Sequence, residues 1–495
     1  MAAAAISAAA LQWFHSHGYL LYYGDAQAHL NIARRITDSR TPGYYQFGTV
    51  WLPLPHAAMA WFAMNTEWWR NGLAGAIPSS AAFVLACGFL FASVRRMTGS
   101  SAAAWTGMAL LALNPNALYL QSTAMTESYF WAALAALLYA SLVARETGSA
   151  VAAALAGVAA CAGSLCRYEG WFLIPFVFAY LMTSRKLALP LWFAVIAALG
   201  PLFWLAYNYY FYSDALEFYH GAWSAKAIYQ RSLAAGMERY AGDHDWAKAL
   251  LYYREAIRLT CGIGLVFVAF VGVGSSFRQK RFWPLALLAL PPAFYVWSMY
   301  GSGTPIFLPH LWPNSYYNSR YGLAALPLLA VAAAMNVALV PRRWRVVAAL
   351  LVVGIGSLGW LVEPSIENVI CWKESERNSS SRREWTREAA DYLKANYRGG
   401  GIAAGFGDLT GIFGQAGIPL KEILHEGNEP YWQGAVARPD LFLREEWAVT
   451  FSGDPLATAI LRAQRKGPSY IREKMIYVKG GPVVEIYRRS GPFTP

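Results

Sequence analysis

A polytopic α-helical membrane protein carrying a C-terminal soluble α/β domain is the fold class this sequence predicts, on three observations. The chain is 56 % hydrophobic and 15 % aromatic but only 14 % charged, whereas soluble domains carry about a quarter charged residues. Apolar runs near the ~20 residues that cross a bilayer recur along the first 362 residues. Beyond them the texture changes: charged residues become frequent and short strand-like and helix-like patterns alternate to residue 495.

The spans are expected at 4–22, 74–95, 101–120, 126–144, 149–166, 169–184, 187–211, 256–277, 282–300, 321–340 and 344–362, about eleven in all. The opening "MAAAAISAAALQWF" lacks the basic start of a signal peptide and reads as a retained first span. Residues 50–64, "VWLPLPHAAMAWFAM", are also apolar, but Pro53 and Pro55 interrupt their start and His56 lies inside them. They read as an interfacial or re-entrant helix. With eleven spans, the loops holding Arg95 and Arg96, Arg145, Arg185 and Lys186, Arg278, Lys280 and Arg281, and Arg342, Arg343 and Arg345 share one side. The positive-inside rule makes that side cytoplasmic. Asp25, Glu127, Arg167, Glu169, Lys226 and Arg320 then gather at the opposite face.

Two outer loops, 23–73 and 212–255, are far longer than simple connections and suggest a covered site. They belong with the spans to a module covering 1–364, and residues 365–495 form the outer α/β domain. There "RREWTREAADYLKANY" is an amphipathic helix, "WAVTF" a strand, and "KMIYV" with "VVEIY" a hairpin around Gly480, Gly481 and Pro482. "GGGIAAGFGDLTGIFG" departs from a dinucleotide fingerprint and reads as turns and a helix start. The five cysteines give neither a disulfide framework nor a metal spacing. The net charge of +12 is spread in short groups between spans, which is an orientation signal; no basic helix or motif points to nucleic acid.

Ionisable groups at a membrane boundary are costly and tend to have a task. Asp25 opens a helix, where it can serve as an N-cap; it also stands i to i+4 from His29, so both can face one side and take a divalent cation, or the carboxylate can act as a base on a hydroxyl. Glu127 in "QSTAMTESYFW" shares that membrane face, in the first turn of its helix. "CRYEGW" puts Arg167 and Glu169 at a break between spans, as an ion pair or a substrate contact, with the ion pair the simpler account. Arg320 begins a helix, where the macrodipole disfavours a cation, so something negative is expected beside it. A guanidinium can grip a phosphate with two parallel bonds, and Tyr316, Tyr317 and Tyr321 are its neighbours in the chain. Lys226 and His220 in the second loop, with His56 and His29 in the first, complete the candidate substrate contacts.

"GDAQAHLNIARRI", "GTVWLPLPH", "NPNALYLQSTAMTESYF", "RYEGW" and "NSRYGLAALP" together resemble bacterial GT-C glycosyltransferases, in particular the family-39-like group related to protein O-mannosyltransferases and aminoarabinose transferases. The resemblance covers the spans and, more loosely, the C-terminal domain. It implies a polyprenyl-phosphate sugar donor among membrane lipids, an acceptor of unspecified kind, and a multi-pass protein of the cytoplasmic membrane with its site facing the periplasm or exterior. It further implies that Asp25 is base or metal ligand, that Glu127 is the second-loop acid, and that Arg320 contacts the lipid phosphate. The protein mannosyltransferases carry a paired Asp-Glu after the first span; here Asp25 is followed by Ala26. Metal dependence divides the related enzymes and these residues do not decide it: Asp25 and His29 are the candidate ligands for a divalent ion, and no other cofactor is expected.

The expected activity is therefore inverting transfer of a sugar to an acceptor hydroxyl. A transporter or flippase of an anionic lipid-linked substrate is the alternative, yet it should place charges near the midplane and show internal repeats. A scaffold whose outer domain binds partners would make Asp25 and Glu127 dispensable.

Overall fold

A computed structural model describes residues 1–184, 186–279, 282–466 and 469–491. Arg185, Lys280 and Arg281 of the expected cytoplasmic loops lie outside the described residues. The chain divides into two compact units, the first made of Met1–Tyr19, Thr49–Pro55 and Ala76–Glu374, the second of Leu20–Gly48, His56–Gly75 and Ser375–Pro495.

The first unit is helical. Among the described residues four helices are long and apolar enough to cross a membrane: Leu73–Thr98, Glu127–Thr147, Ala188–Tyr212 and Ser319–Leu339. They are the spans of a multi-pass membrane protein, and Leu191, Trp192, Val195, Leu199, Leu202 and Phe203 project exposed from one of them, as side chains facing lipid do. Other expected spans are shorter or broken. The run 101–120 divides into Ser101–Ala112 and Pro115–Gln121, because Asn114 caps the second piece by accepting the Ala117 N–H and Pro115 suits a first helical position. The run 256–277, expected as one span, belongs to two helices, Trp246–Cys261 and Ile263–Arg278, meeting at 108°. Gly262 makes the corner at φ +84°, a conformation that glycine adopts without penalty. The run 344–362 is likewise two pieces, Arg345–Gly356 and Leu358–Val362. Leu54–Ala63 is a ten-residue helix, too short to cross a bilayer.

The second unit is α/β. Strands β1 (Ile402–Ala404), β2 (Ile423–Leu424), β3 (Trp447–Phe451), β4 (Tyr470–Ile476) and β5 (Val484–Arg489) form one sheet in the order β2-β1-β3-β5-β4. β1 runs parallel to β2 and β3, while β5 is antiparallel to β3 and β4. Trp447, Tyr470 and Ile460 are buried in its core. The strand "WAVTF" and the β4–β5 hairpin match the sequence reading, but "GGGIAAGFGDLTGIFG" contains β1 as well as the helix Thr410–Ala416.

Residues of the loop 23–73, assigned from sequence to the 1–364 module, pack instead with the C-terminal residues. Asn31 donates to Thr410 Oγ1 at 2.6 Å, Arg40 pairs with Glu445 at 2.5 Å, Gln46 donates to the Gly427 carbonyl at 2.8 Å, and Arg70 Nε donates to the Gly414 carbonyl at 2.9 Å. Asn31 and Gln46 are buried, so their bonds satisfy polar groups that packing has removed from water.

Candidate functional site

In the first unit two chain breaks bring charge together. The first lies between the helices Pro115–Gln121 and Glu127–Thr147, and Glu127 is the first residue of the latter, where the helix N-terminus favours an anion. The second lies between Ala150–Ser164 and Glu169–Met182, and it holds Arg167. This turn is tight: a Cβ on Gly170 would come 2.5 Å from the Gly163 carbonyl oxygen, so only glycine fits.

Arg167 is fixed by four partners. Its Nη1 donates to Thr126 Oγ1 at 2.7 Å and lies 3.2 Å from Glu127 Oε1; its Nε meets Glu169 Oε1 at 2.5 Å; its Nη2 meets the Tyr295 hydroxyl at 2.5 Å. Tyr295, from the helix Trp283–Tyr300, donates in turn to Glu169 Oε1 at 2.7 Å. The planar fork of a guanidinium is what lets one side chain serve four acceptors in three directions.

Arg320 is held differently. It stands in the 3₁₀ turn Ser319–Ala325, with Nε 3.4 Å from Glu127 Oε1 and Nη1 3.5 Å from Glu374 Oε1. The negative partners expected beside this helix-opening cation thus include the carboxylates of Glu127 and Glu374. The turn presses closely on the helix Trp246–Cys261, since a Cβ on Gly322 would lie 2.5 Å from the Ala256 backbone. The Tyr321 ring lies beneath both cations, 4.9 Å from the Arg320 guanidinium and 5.5 Å from that of Arg167, and stacks on Tyr295 at 4.5 Å.

Glu127, Arg167, Glu169, Tyr295, Arg320 and Tyr321 line one crevice. Glu127 is only 5 % exposed, and its Oε2 accepts no hydrogen bond among the described residues. A buried carboxylate oxygen left without a donor is costly unless a ligand supplies one. The arrangement can therefore accept a proton or a hydroxyl at Glu127 and meet an anion at Arg320.

Residues 53–211 match the family model described as dolichyl-phosphate-mannose-protein mannosyltransferase, a range that includes Glu127, Arg167 and Glu169. By structure the chain is similar to ArnT from Cupriavidus metallidurans bound to undecaprenyl phosphate, with a TM-score of 0.57 and 13 % identity over 98 % of each chain. The apo state of the same protein gives 0.56 and 13 % over 96 % of each. The chain has the fold of ArnT. The apo oligosaccharyltransferase of Archaeoglobus fulgidus is more distant, with a TM-score of 0.45 and 11 % identity over 86 % of this chain and 66 % of that one. By sequence, no curated protein matches.

On this fold the other sequence candidates are placed as follows. Asp25, His29 and His56 belong to the second unit. Asp25 is in the first turn of the helix Gly24–Arg35 but is not its N-cap, which is Tyr23. His29 Nδ1 lies 2.8 Å from His56 Nε2, both buried, so one imidazole donates to the other. Among the described residues no group of three or more His, Cys, Asp or Glu side chains is placed to hold a metal ion. Lys226 lies over the Tyr219 ring at 5.0 Å and His220 pairs with Asp214 at 3.2 Å, both on an exposed surface and neither lining the crevice. Tyr317 pairs its backbone with Phe307 and is exposed.

Sequence reasoning missed Tyr295 and Glu374. Tyr295 is one hydroxyl within an apolar run, and Glu374 one acid among several in "CWKESERN". The only signal for Glu374 was indirect: the unbalanced cation at Arg320.

Proposed function

We propose that this chain is an inverting glycosyltransferase that moves a sugar from a polyprenyl-phosphate-linked donor to an acceptor hydroxyl at the outer, periplasmic face of the cytoplasmic membrane. The observation that carries this reading is the crevice, in which a buried carboxylate with one unengaged oxygen stands beside two guanidinium groups, Arg167 and Arg320. Arg167 is bound on all sides and acts as scaffold. Arg320 lies 3.4 Å from Glu127 and 3.5 Å from Glu374, and a guanidinium at that place can meet an anionic oxygen of a ligand. The shared fold of ArnT, whose structure holds undecaprenyl phosphate, supports a lipid phosphate as that ligand.

In the transfer the acceptor oxygen bonds to the anomeric carbon while the bond from that carbon to the phosphate oxygen breaks. The electron pair leaves with the polyprenyl phosphate, and Arg320 stabilises its charge. The hydroxyl proton passes to a carboxylate. Asp25 activates or orients the hydroxyl in the role the resemblance implies, and Glu127 assists. Direct displacement inverts the anomeric centre, and no step is routed through a metal ion.

The test uses purified protein in lipid nanodiscs with undecaprenyl-phosphate-linked hexoses and pentoses as donors. Asp25→Asn and Glu127→Gln should each lower transfer by about a hundredfold or more. Undiminished transfer in both variants contradicts the assignment.

A further inference from the structure

We propose that residues 217–231 form an interfacial anchor: Tyr219, Trp223 and Ile228 seat in the phospholipid headgroup layer around the spans, and Lys226 and Arg231 reach from beside those rings to the lipid phosphates. The inference is independent of the sugar donor. It gives a task to Lys226, which does not line the crevice.

The chain itself brings this segment to the membrane boundary. The span Ala188–Tyr212 has 25 residues, about 37 Å of helix against a hydrocarbon core of about 30 Å, so its ends reach the headgroup layers. Tyr209 and Tyr210 near its end are exposed, continuing the lipid-facing row into the aromatic belt expected at that depth. Residues 213–216 separate the span from the short helix Glu217–His220, and Phe218 fixes that helix: its ring lies 5.1 Å from Tyr168 and 5.9 Å from Trp171. Trp171 stands in the first turn of the apolar helix Glu169–Met182. The segment is thus held against the ends of two apolar helices, where Trp and Tyr rings concentrate in membrane proteins.

Its side chains are paired as an interface requires. Tyr219 and Trp223 are 52 % and 63 % exposed, and Ile228 is exposed beside them in sequence. Lys226 Nζ lies 5.0 Å from the Tyr219 ring centre, and the Arg231 guanidinium lies 5.9 Å from that of Trp223 while its Nη1 donates to the Ala222 carbonyl at 2.6 Å. These contacts tie the helix Ala225–Ala234 back to the residues before it, and Tyr229 holds the same helix from its buried side by donating to Asp243 at 3.0 Å. Exposed rings of this size are costly in water but fit the headgroup layer, where an apolar body and a polar edge both find partners. A long basic side chain lays its stem along such a ring and carries its charge to a phosphate. The helix Ala225–Ala234 has two cations and no acid, so nothing on it repels that phosphate.

Spin labelling of the full chain in nanodiscs of phosphatidylethanolamine and phosphatidylglycerol tests the anchor. Nitroxides are attached through Ala222→Cys and Ala225→Cys, both exposed positions that leave the five named side chains in place. The parent chain, whose five cysteines are buried or half-buried, supplies the labelling background. Collision with oxygen, which concentrates in lipid, is compared with collision with a water-soluble nickel chelate. The oxygen-to-nickel ratio should be roughly threefold or more above that of a free water-soluble nitroxide, and Leu199→Cys in the lipid-facing row gives the hydrocarbon reference. Trp223→Ala should lower the ratio at position 222 about twofold or more, and Lys226→Gln combined with Arg231→Gln by a similar factor, with the unfolding temperature unchanged because these side chains are exposed. A ratio equal to that of the free nitroxide assigns the patch to a soluble partner and overturns the anchor. So does a raised ratio that neither Trp223→Ala nor the double variant alters.

Discussion

Arg167 Nη1 lies 3.2 Å from Glu127 Oε1, and this contact joins two breaks in the chain 40 residues apart. The same guanidinium binds Thr126, Glu169 and Tyr295. Removing it takes the shared cation from two buried carboxylates, Glu127 and Glu169. Arg167→Ala should therefore destabilise the protein by about 3–5 kcal/mol, read as a fall in thermal unfolding temperature. Arg167→Lys keeps the charge but not the fork, so it should fold and still lose most transfer. Parental activity in Arg167→Lys would show that orientation by the fork is unnecessary.

Tyr295 connects the two groups that flank Glu127. Its hydroxyl bonds Glu169 and Arg167 within a few tenths of an ångström of each other, at 2.7 and 2.5 Å. Tyr295→Phe removes only that oxygen and leaves the ring stacked on Tyr321. The expected cost is about 1–3 kcal/mol of stability. The turnover number should fall more than the donor KM changes, because the ring still packs while Arg167 loses one restraint.

Gly322 sets how closely the Arg320 turn approaches its neighbour. A Cβ there would meet Ala256 backbone at 2.5 Å and Thr260 Oγ1 at 2.6 Å. Backbone cannot yield as a flexible side chain can. Gly322→Ala should push the turn outward, lowering stability by roughly 1–3 kcal/mol and weakening donor binding. A variant with parental unfolding temperature and donor affinity would contradict this close approach.

The second unit carries its own pH dependence. Glu426 is half-buried, and its loss of solvent raises its carboxyl to about 7, against smaller opposing effects from backbone donors including Phe406 N–H. An acid held above its ordinary 4.5 keeps its proton in the folded state after the unfolded chain has lost it. Its contribution to stability is thus greatest below pH 4.5 and is lost as pH rises to 7. The loss across that window should be roughly 3 kcal/mol. Unfolding of Glu426→Gln followed by circular dichroism should show a flatter profile between those pH values, and an unaltered profile would assign the dependence elsewhere.

Much of this was visible in the sequence where a residue stood out against its background. Glu127 and Arg320 are charges bordering apolar runs, and the demand for an anion beside Arg320 followed from the helix dipole alone. The Arg167–Glu169 pair was legible because the two are neighbours in a polar break. Tyr295 and Glu374 were not, because their partners lie 126 and 55 residues away and no periodicity marks a single polar atom. The corner at Gly262 was hidden for a related reason: one glycine in an apolar run reads equally well as part of a straight span. β1, three residues long, is too short to display alternation. The packing of loop 23–73 with the C-terminal residues depends on hydrogen bonds such as Asn31 to Thr410, which span 379 positions and leave no local trace.

The central claim is that the crevice at Glu127 and Arg320 serves a polyprenyl-phosphate-linked sugar. Native mass spectrometry of the protein purified with its membrane lipids tests it most directly. The account predicts a bound species whose fragments give a polyprenyl phosphate and a sugar, present in the parent chain and lost in Arg320→Ala. A parent chain that retains only phospholipid, and takes up no undecaprenyl-phosphate sugar when it is supplied, would contradict it.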